Sequence, residues 1–353
     1  MTKERIKYFD ALKLFAIFMV LWGHAVQQFS CDGGSGYGNA VFRAIYAFHM
    51  PLFMGIVGYF AASLSKLNFK EMLTKKFRQL ILPALAFGLM YSLSEKYMMG
   101  GGRWLSGWGW FWFLKSAFVC CILYWVGTRW EKHRLAGLAL TVLASFFYGE
   151  LVSYVPTITG SELISAWHVP KLYLCFVIGA LLKTYKDEIV RYEGRILALV
   201  ALIWIPMWIL MIVDEKYHFF PYTQMLLHGT ALFGLLEASL SVVFFILLFK
   251  MLSRHVPSTR WGEKMCKWGG MTLSIYCMQV FILETYMPAC LDFKWMNQWV
   301  FDLVAAPLLS AGVLLVCVAL TKLIQQSRWL SWLFLGKELG RKKKSGDCMI
   351  SAS

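Results

Sequence analysis

Charge is scarce in this chain, and acid is the scarcer sign. Only 16% of its 353 residues are charged, with 20 acidic against 35 basic side chains. A soluble domain carries about 25% charge, so an ordinary soluble protein is excluded. Ten-residue stretches of strict polar–apolar alternation are missing too, which excludes a membrane β-barrel. The nine cysteines show neither the spacing of a zinc site nor a redox CxxC, so no resident metal is expected. No internal repeat is visible, and no segment reads as a separate soluble domain.

What is present is apolar length. Mean hydropathy is +0.57, and several apolar runs reach the ~18 residues a spanning helix needs. We place ten spans near 11–29, 41–63, 80–98, 109–127, 135–153, 169–184, 196–213, 227–249, 271–288 and 301–323. The expected fold is all-α: a polytopic membrane protein of about ten transmembrane helices with cytoplasmic N- and C-termini. Residues 1–324 would form the membrane domain and 325–353 a basic cytoplasmic tail ending near Arg341-Lys342-Lys343-Lys344.

The net charge of +15 first suggests nucleic acid, but its distribution argues otherwise. With the N-terminus inside, about 28 of the 35 basic residues fall on the inner side, as the positive-inside rule requires. Topology and contact with anionic membrane lipids account for the charge, so no nucleic-acid partner is expected. Cys31 and Cys290 both fall near the predicted outer face, where a disulfide between them is compatible with the topology. Basic residues precede the first span as in a signal peptide, yet no small-residue cleavage pattern follows His24, so an uncleaved span is expected.

That first span carries its polar groups on one stripe. Lys13 and His24 are eleven residues apart, which is about 1100° of helical rotation and ~16 Å of rise. They share nearly one face. Asp10 falls ~40° away, ~21 Å from His24. Polar groups aligned this way in a membrane helix usually mark a site.

Five local patterns follow in order. They are Asp10-x-x-Lys13-x10-His24; Phe48-His49-Met50-Pro51-Leu52-Phe53 with Gly58-Tyr59-Phe60; Lys75-Lys76-Phe77-Arg78 leading into Leu82-Pro83; Trp112-Phe113-Leu114; and Thr272-Leu273-Ser274-Ile275-Tyr276-Cys277-Met278-Gln279. Together, over residues 5 to about 323, they resemble the acyltransferase 3 family of membrane-bound acyltransferases. The similarity is strongest to its smaller sugar O-acetylating members, of the fucose 4-O-acetylase and enterobacterial common antigen O-acetyltransferase kind. The chain departs from the family pattern at Lys13, where arginine is frequent, and at Lys75-x-x-Arg78, where arginines are paired. Val57 stands where a serine often precedes the Gly–aromatic pair, and Gln279 where histidine is frequent.

The resemblance implies an acyl-CoA donor, most simply acetyl-CoA, reached from the cytoplasm, and a glycan or polyprenyl-linked sugar hydroxyl as acceptor. It also implies a bacterial cytoplasmic membrane as location. The donor's anionic head would meet Lys13, Lys75, Lys76 and Arg78, and its thiol arm would cover the distance to His24. His24 is the candidate general base, since a neutral imidazole takes a hydroxyl proton at physiological pH. His49, at a similar expected depth, is the second catalytic candidate, although with Pro51 beside it it also reads as a helix-start residue. Asp10 is too far along the helix to orient His24 and is assigned a structural or donor-side role beside Lys13 or Arg78.

Gln28, one turn past His24, Arg43, Arg103 and Trp112 are acceptor-side candidates. The tryptophans from Trp104 to Trp112 read first as an interfacial aromatic belt, and second as a surface on which a sugar stacks. Lys115 and Glu237 lie inside spans and must face protein or a cavity. A transporter or flippase of a lipid-linked glycan would also suit ten helices with buried charge. The missing repeat counts against it.

Overall fold

The expected spans are largely helical wherever the computed structural model describes them; it describes residues 7–31, 36–99, 106–153, 169–214, 229–255 and 267–338. The helices are α1 (Lys7–Ser30), α2 (Ala40–Tyr46), α3 (His49–Ala61), α4 (Phe69–Lys76), α5 (Leu82–Met99), α6 (Ser106–Trp110) and α7 (Trp112–Gly127). They continue with α8 (Arg134–Ser153), α9 (Val169–Thr184), α10 (Lys186–Val190), α11 (Glu193–Val213) and α12 (Gly229–His255). The last are α13 (Thr272–Gln279), α14 (Met287–Cys290), α15 (Gln298–Val300), α16 (Ala306–Gln326) and α17 (Arg328–Leu335). No strand occurs among the described residues. Among the described residues, three π-helical turns interrupt the helices, at Phe77–Ile81, Val280–Tyr286 and Phe301–Ala305.

Among the described residues, six helical segments are long and apolar enough to cross a membrane: Tyr8–Ser30, Ala40–Lys66, Phe69–Tyr97, Glu193–Val213, Leu232–Arg254 and Gln298–Gln326. Trp112–Gly127 and Arg134–Phe147 are apolar but shorter. The ninth expected span runs through α13, a π turn and α14 without a gap and is not among those six. Outward leucines and isoleucines such as Leu199, Leu202, Ile203 and Leu308 are exposed on α11 and α16, as lipid-facing surfaces require.

Helix α1 runs through the middle of the bundle, against α3, α12, α13 and α16. The closest helix pair is α3 with α9. A Cβ on Gly58 would overlap the Phe176 carbonyl oxygen, and one on Gly179 would overlap that of Gly55. Small residues let the two backbones touch, the packing mode that serves where apolar burial from water is absent. The Gly58 of the second sequence pattern therefore works as a helix contact.

The segment expected to be a tail begins with structure. Helix α17 is capped by the Ser327 side chain at one end and by Gly336, at φ 60°, at the other. It packs on α5, with Phe334 and Phe87 ring centroids 4.9 Å apart. Cys290 is exposed and makes no disulfide, so the Cys31–Cys290 bridge compatible with the topology is not formed.

Candidate active site around His24

His24 meets a carboxylate the motif reading did not select. Its Nδ1 lies 3.3 Å from Oε1 of Glu284, whose side chain is only 4% exposed. The pair is at ion-pair distance without an aligned hydrogen bond, since His24 Nδ1 has no hydrogen-bond partner among the described residues. Unliganded sites often hold such groups loosely and tighten them on substrate. Gln279 Nε2 donates to the same Glu284 oxygen at 3.0 Å.

The π turn makes this convergence. In an α-helix, Gln279 and Glu284 would be 500° apart, about 140° around the axis from one another. Widening the turn to i→i+5 bonding stacks residues five apart. Glu284 lies in that turn, Val280–Tyr286, and Gln279 directly precedes it.

On the other flank, the Tyr46 ring lies against both histidines, 6.2 Å from His24 and 4.5 Å from His49. Gly23 admits it: a Cβ there would come within 2.8 Å of Tyr46 Cε2. The Tyr46 hydroxyl donates to Gln27 Oε1 at 3.1 Å. His49 is 1% exposed, and its Nδ1 lies 2.8 Å from the Ile45 carbonyl oxygen. That oxygen accepts from Nδ1–H and leaves Nε2 as the free ring nitrogen.

The wall above is fixed by Asp302, in the π turn Phe301–Ala305. Its buried carboxylate accepts from the Ser30 hydroxyl and, at 2.6 Å, from Asn39 Nδ2. Asn39 in turn caps α2 by accepting from the Phe42 N–H at 3.0 Å, and Tyr46 ends that helix. A path of bonded groups thus runs from Asp302 to the ring beside His24.

At the other end of α1, Lys13 Nζ stands 4.0 Å from Asp10 Oδ1 and 4.4 Å over the Phe60 ring. Arg78 lies in its own π turn and pairs with Glu338, which follows α17. Lys75 is exposed and Lys76 half-buried. Lys183 sits over the Tyr59 ring at 5.1 Å.

The remaining candidates are more dispersed. Arg43 is buried and spends its guanidinium on the Ile212 and Tyr37 carbonyls, so it braces the Tyr37 turn against α11. Gln28 is half-buried, and its neighbour Gln27 is the one that bonds Tyr46. Trp112 is half-buried, edge-on to Phe113 at 6.1 Å. Arg103 lies outside the described residues. Lys115 is buried and donates to the Trp108 carbonyl at 2.9 Å. Glu237 is fully buried and accepts from Trp204 Nε1 at 2.9 Å.

Two curated relatives are both described as nodulation protein NolL. The one from Mesorhizobium japonicum is 27% identical over 169 residues, 44% of this chain and 44% of the relative. The one from Sinorhizobium fredii is 35% identical over 79 residues, 22% of each chain. The matches thus cover less than half the length of either relative. No solved structure matches the chain. The family model described as an acyltransferase domain matches residues 6–322, nearly the whole chain, and this membrane protein belongs to the acyltransferase 3 family.

Proposed function

We propose that the chain moves an acyl group, acetyl in the simplest case, from cytoplasmic acyl-CoA to a hydroxyl of an extracytoplasmic or lipid-linked glycan. In this reading it lies in a bacterial cytoplasmic membrane, with ten crossings and both termini inside. The observation that carries the reading is His24 faced by Glu284 within the bundle. A carboxylate at Nδ1 favours the tautomer that leaves Nε2 free as base, and stabilises the imidazolium that forms.

The reaction balances on that geometry. Nε2 takes the acceptor's hydroxyl proton as the oxygen attacks the thioester carbonyl carbon. The C–S bond breaks, and His24 passes the same proton to the departing thiolate. CoA leaves as the thiol with no net proton uptake. The donor's phosphates would sit at the Lys13 end of α1 and at Lys75, Lys76 and Arg78, with the phosphate displacing Glu338 from Arg78.

The test is transfer of labelled acetyl from acetyl-CoA to glycan by the full chain in lipid vesicles, with thiol release followed in parallel. Labelled glycan ester is expected. Glycan crossing the membrane unesterified, with no thiol released, would replace the enzyme reading by the transporter one. For the donor site, the Lys75→Ala/Arg78→Ala double variant should raise the acetyl-CoA Kd about tenfold, the scale of one or two lost charge-assisted bonds. Unchanged binding in calorimetry would leave these charges to topology alone.

A further inference from the structure

We propose that Trp110, held by the buried Tyr91 ring, forms a stacking subsite for a pyranose ring, from which a hydroxyl reaches His24. This rests on reading the acceptor as a sugar. Three tryptophans of the cluster at 104–112 fall among the described residues, and the structure separates them. Trp108 lies under the Lys115 ammonium, 5.0 Å from its ring centroid. Trp112 is half-buried against Phe113. Trp110 keeps 38% of its surface open.

Trp110 is open yet rigidly held, unlike a ring that merely floats at a lipid interface. Its carbonyl accepts from the Tyr276 hydroxyl at 3.2 Å. Its indole lies 5.6 Å, centroid to centroid, from the Tyr91 ring and within hydrogen-bonding reach of the Tyr91 hydroxyl. The short helix that carries it is clamped to α5. The Gly107 N–H donates to Ser92 Oγ at 3.0 Å, and a Cβ on Gly107 would overlap the Gly88 carbonyl oxygen.

The ring pair is tied to the turn that carries Glu284. Thr285 Oγ1 donates to the Tyr91 hydroxyl at 3.4 Å, and Thr285 directly follows Glu284 in the chain. The Ser94 and Tyr286 hydroxyls pair at 2.5 Å beside it. An aromatic face followed by hydroxyls and a carboxylate suits one chemistry. A pyranose offers an apolar C–H face to the ring and its own hydroxyls to the rest.

The experiment is saturation-transfer NMR on the full chain in nanodiscs, with methyl hexopyranosides as probes. The wild type should pass saturation to the ring C–H protons of at least one of them. Trp110→Ala should raise that probe's Kd about tenfold, the usual cost of removing an anchoring tryptophan, with an unchanged thermal midpoint. Trp110→Phe should stay within about threefold because a ring remains. No binding of any methyl hexopyranoside to the wild type, or equal binding by Trp110→Ala, overturns the subsite and leaves Trp110 an interfacial anchor. If binding follows the expected order while no acyl-CoA ever releases thiol, the acyl-transfer reading falls and the sugar subsite stands.

Discussion

His24→Ala lowers acetyl-CoA-dependent acyl transfer by about 10³-fold or more, and Glu284→Gln by about 10²-fold, the range spanned by positioned general bases and the groups that orient them. Neither change should alter acetyl-CoA binding, because the phosphate-facing charges lie at the opposite end of α1. The double variant should be no slower than His24→Ala alone, since Glu284 acts only through the imidazole. Thiol release with saturating donor and varied acceptor separates the cases. A Glu284→Gln enzyme at wild-type rate would reduce the 3.3 Å contact to packing. An additive double variant would give Glu284 a role of its own.

Asp302→Ala should cost about 3 kcal/mol of stability, since two charge-assisted bonds vanish and their donors lose their partner. The side chain is 1% exposed, so water replaces it poorly. Asn39 and Ser30 would both be released, and with Asn39 the cap of α2. Thermal unfolding in detergent measures the loss. Asn39→Ala in the Asp302→Ala background should add little beyond its lost cap, because the pair is already broken. Strict additivity of the two changes would show that their bond carries no stability.

Much of this was legible from sequence, and the division has a physical cause. Apolar length marked the long helices, since burial in lipid leaves few charges to interrupt one, but not the short polar α4 and α10 or the amphipathic α17. The Lys13–His24 stripe was legible because α1 is continuous, so 100° per residue holds from end to end. Glu284 escaped because its helix is not α-helical throughout. Alpha-helical arithmetic turns it away from Gln279, whereas the π turn stacks them. Its one visible signal was that it is an acid in an otherwise apolar span, which alone marks a site. Arg43 was legible as an outer cation, but its backbone partners were not. An outer cation reads as a ligand hook, yet three bonds to backbone carbonyls occupy it.

The continuity of α1, 24 residues without a break, also makes it a ruler. Lys13 and His24 keep a separation fixed by helical rise, whatever the neighbouring helices do. On the proposed reading, a donor anchored at one mark must have an arm that ends at the other. Thioesters on a truncated arm would bind by their phosphates and stop short of the base. Selection among donors would then act on the length of the carrier before the acyl group itself is tested.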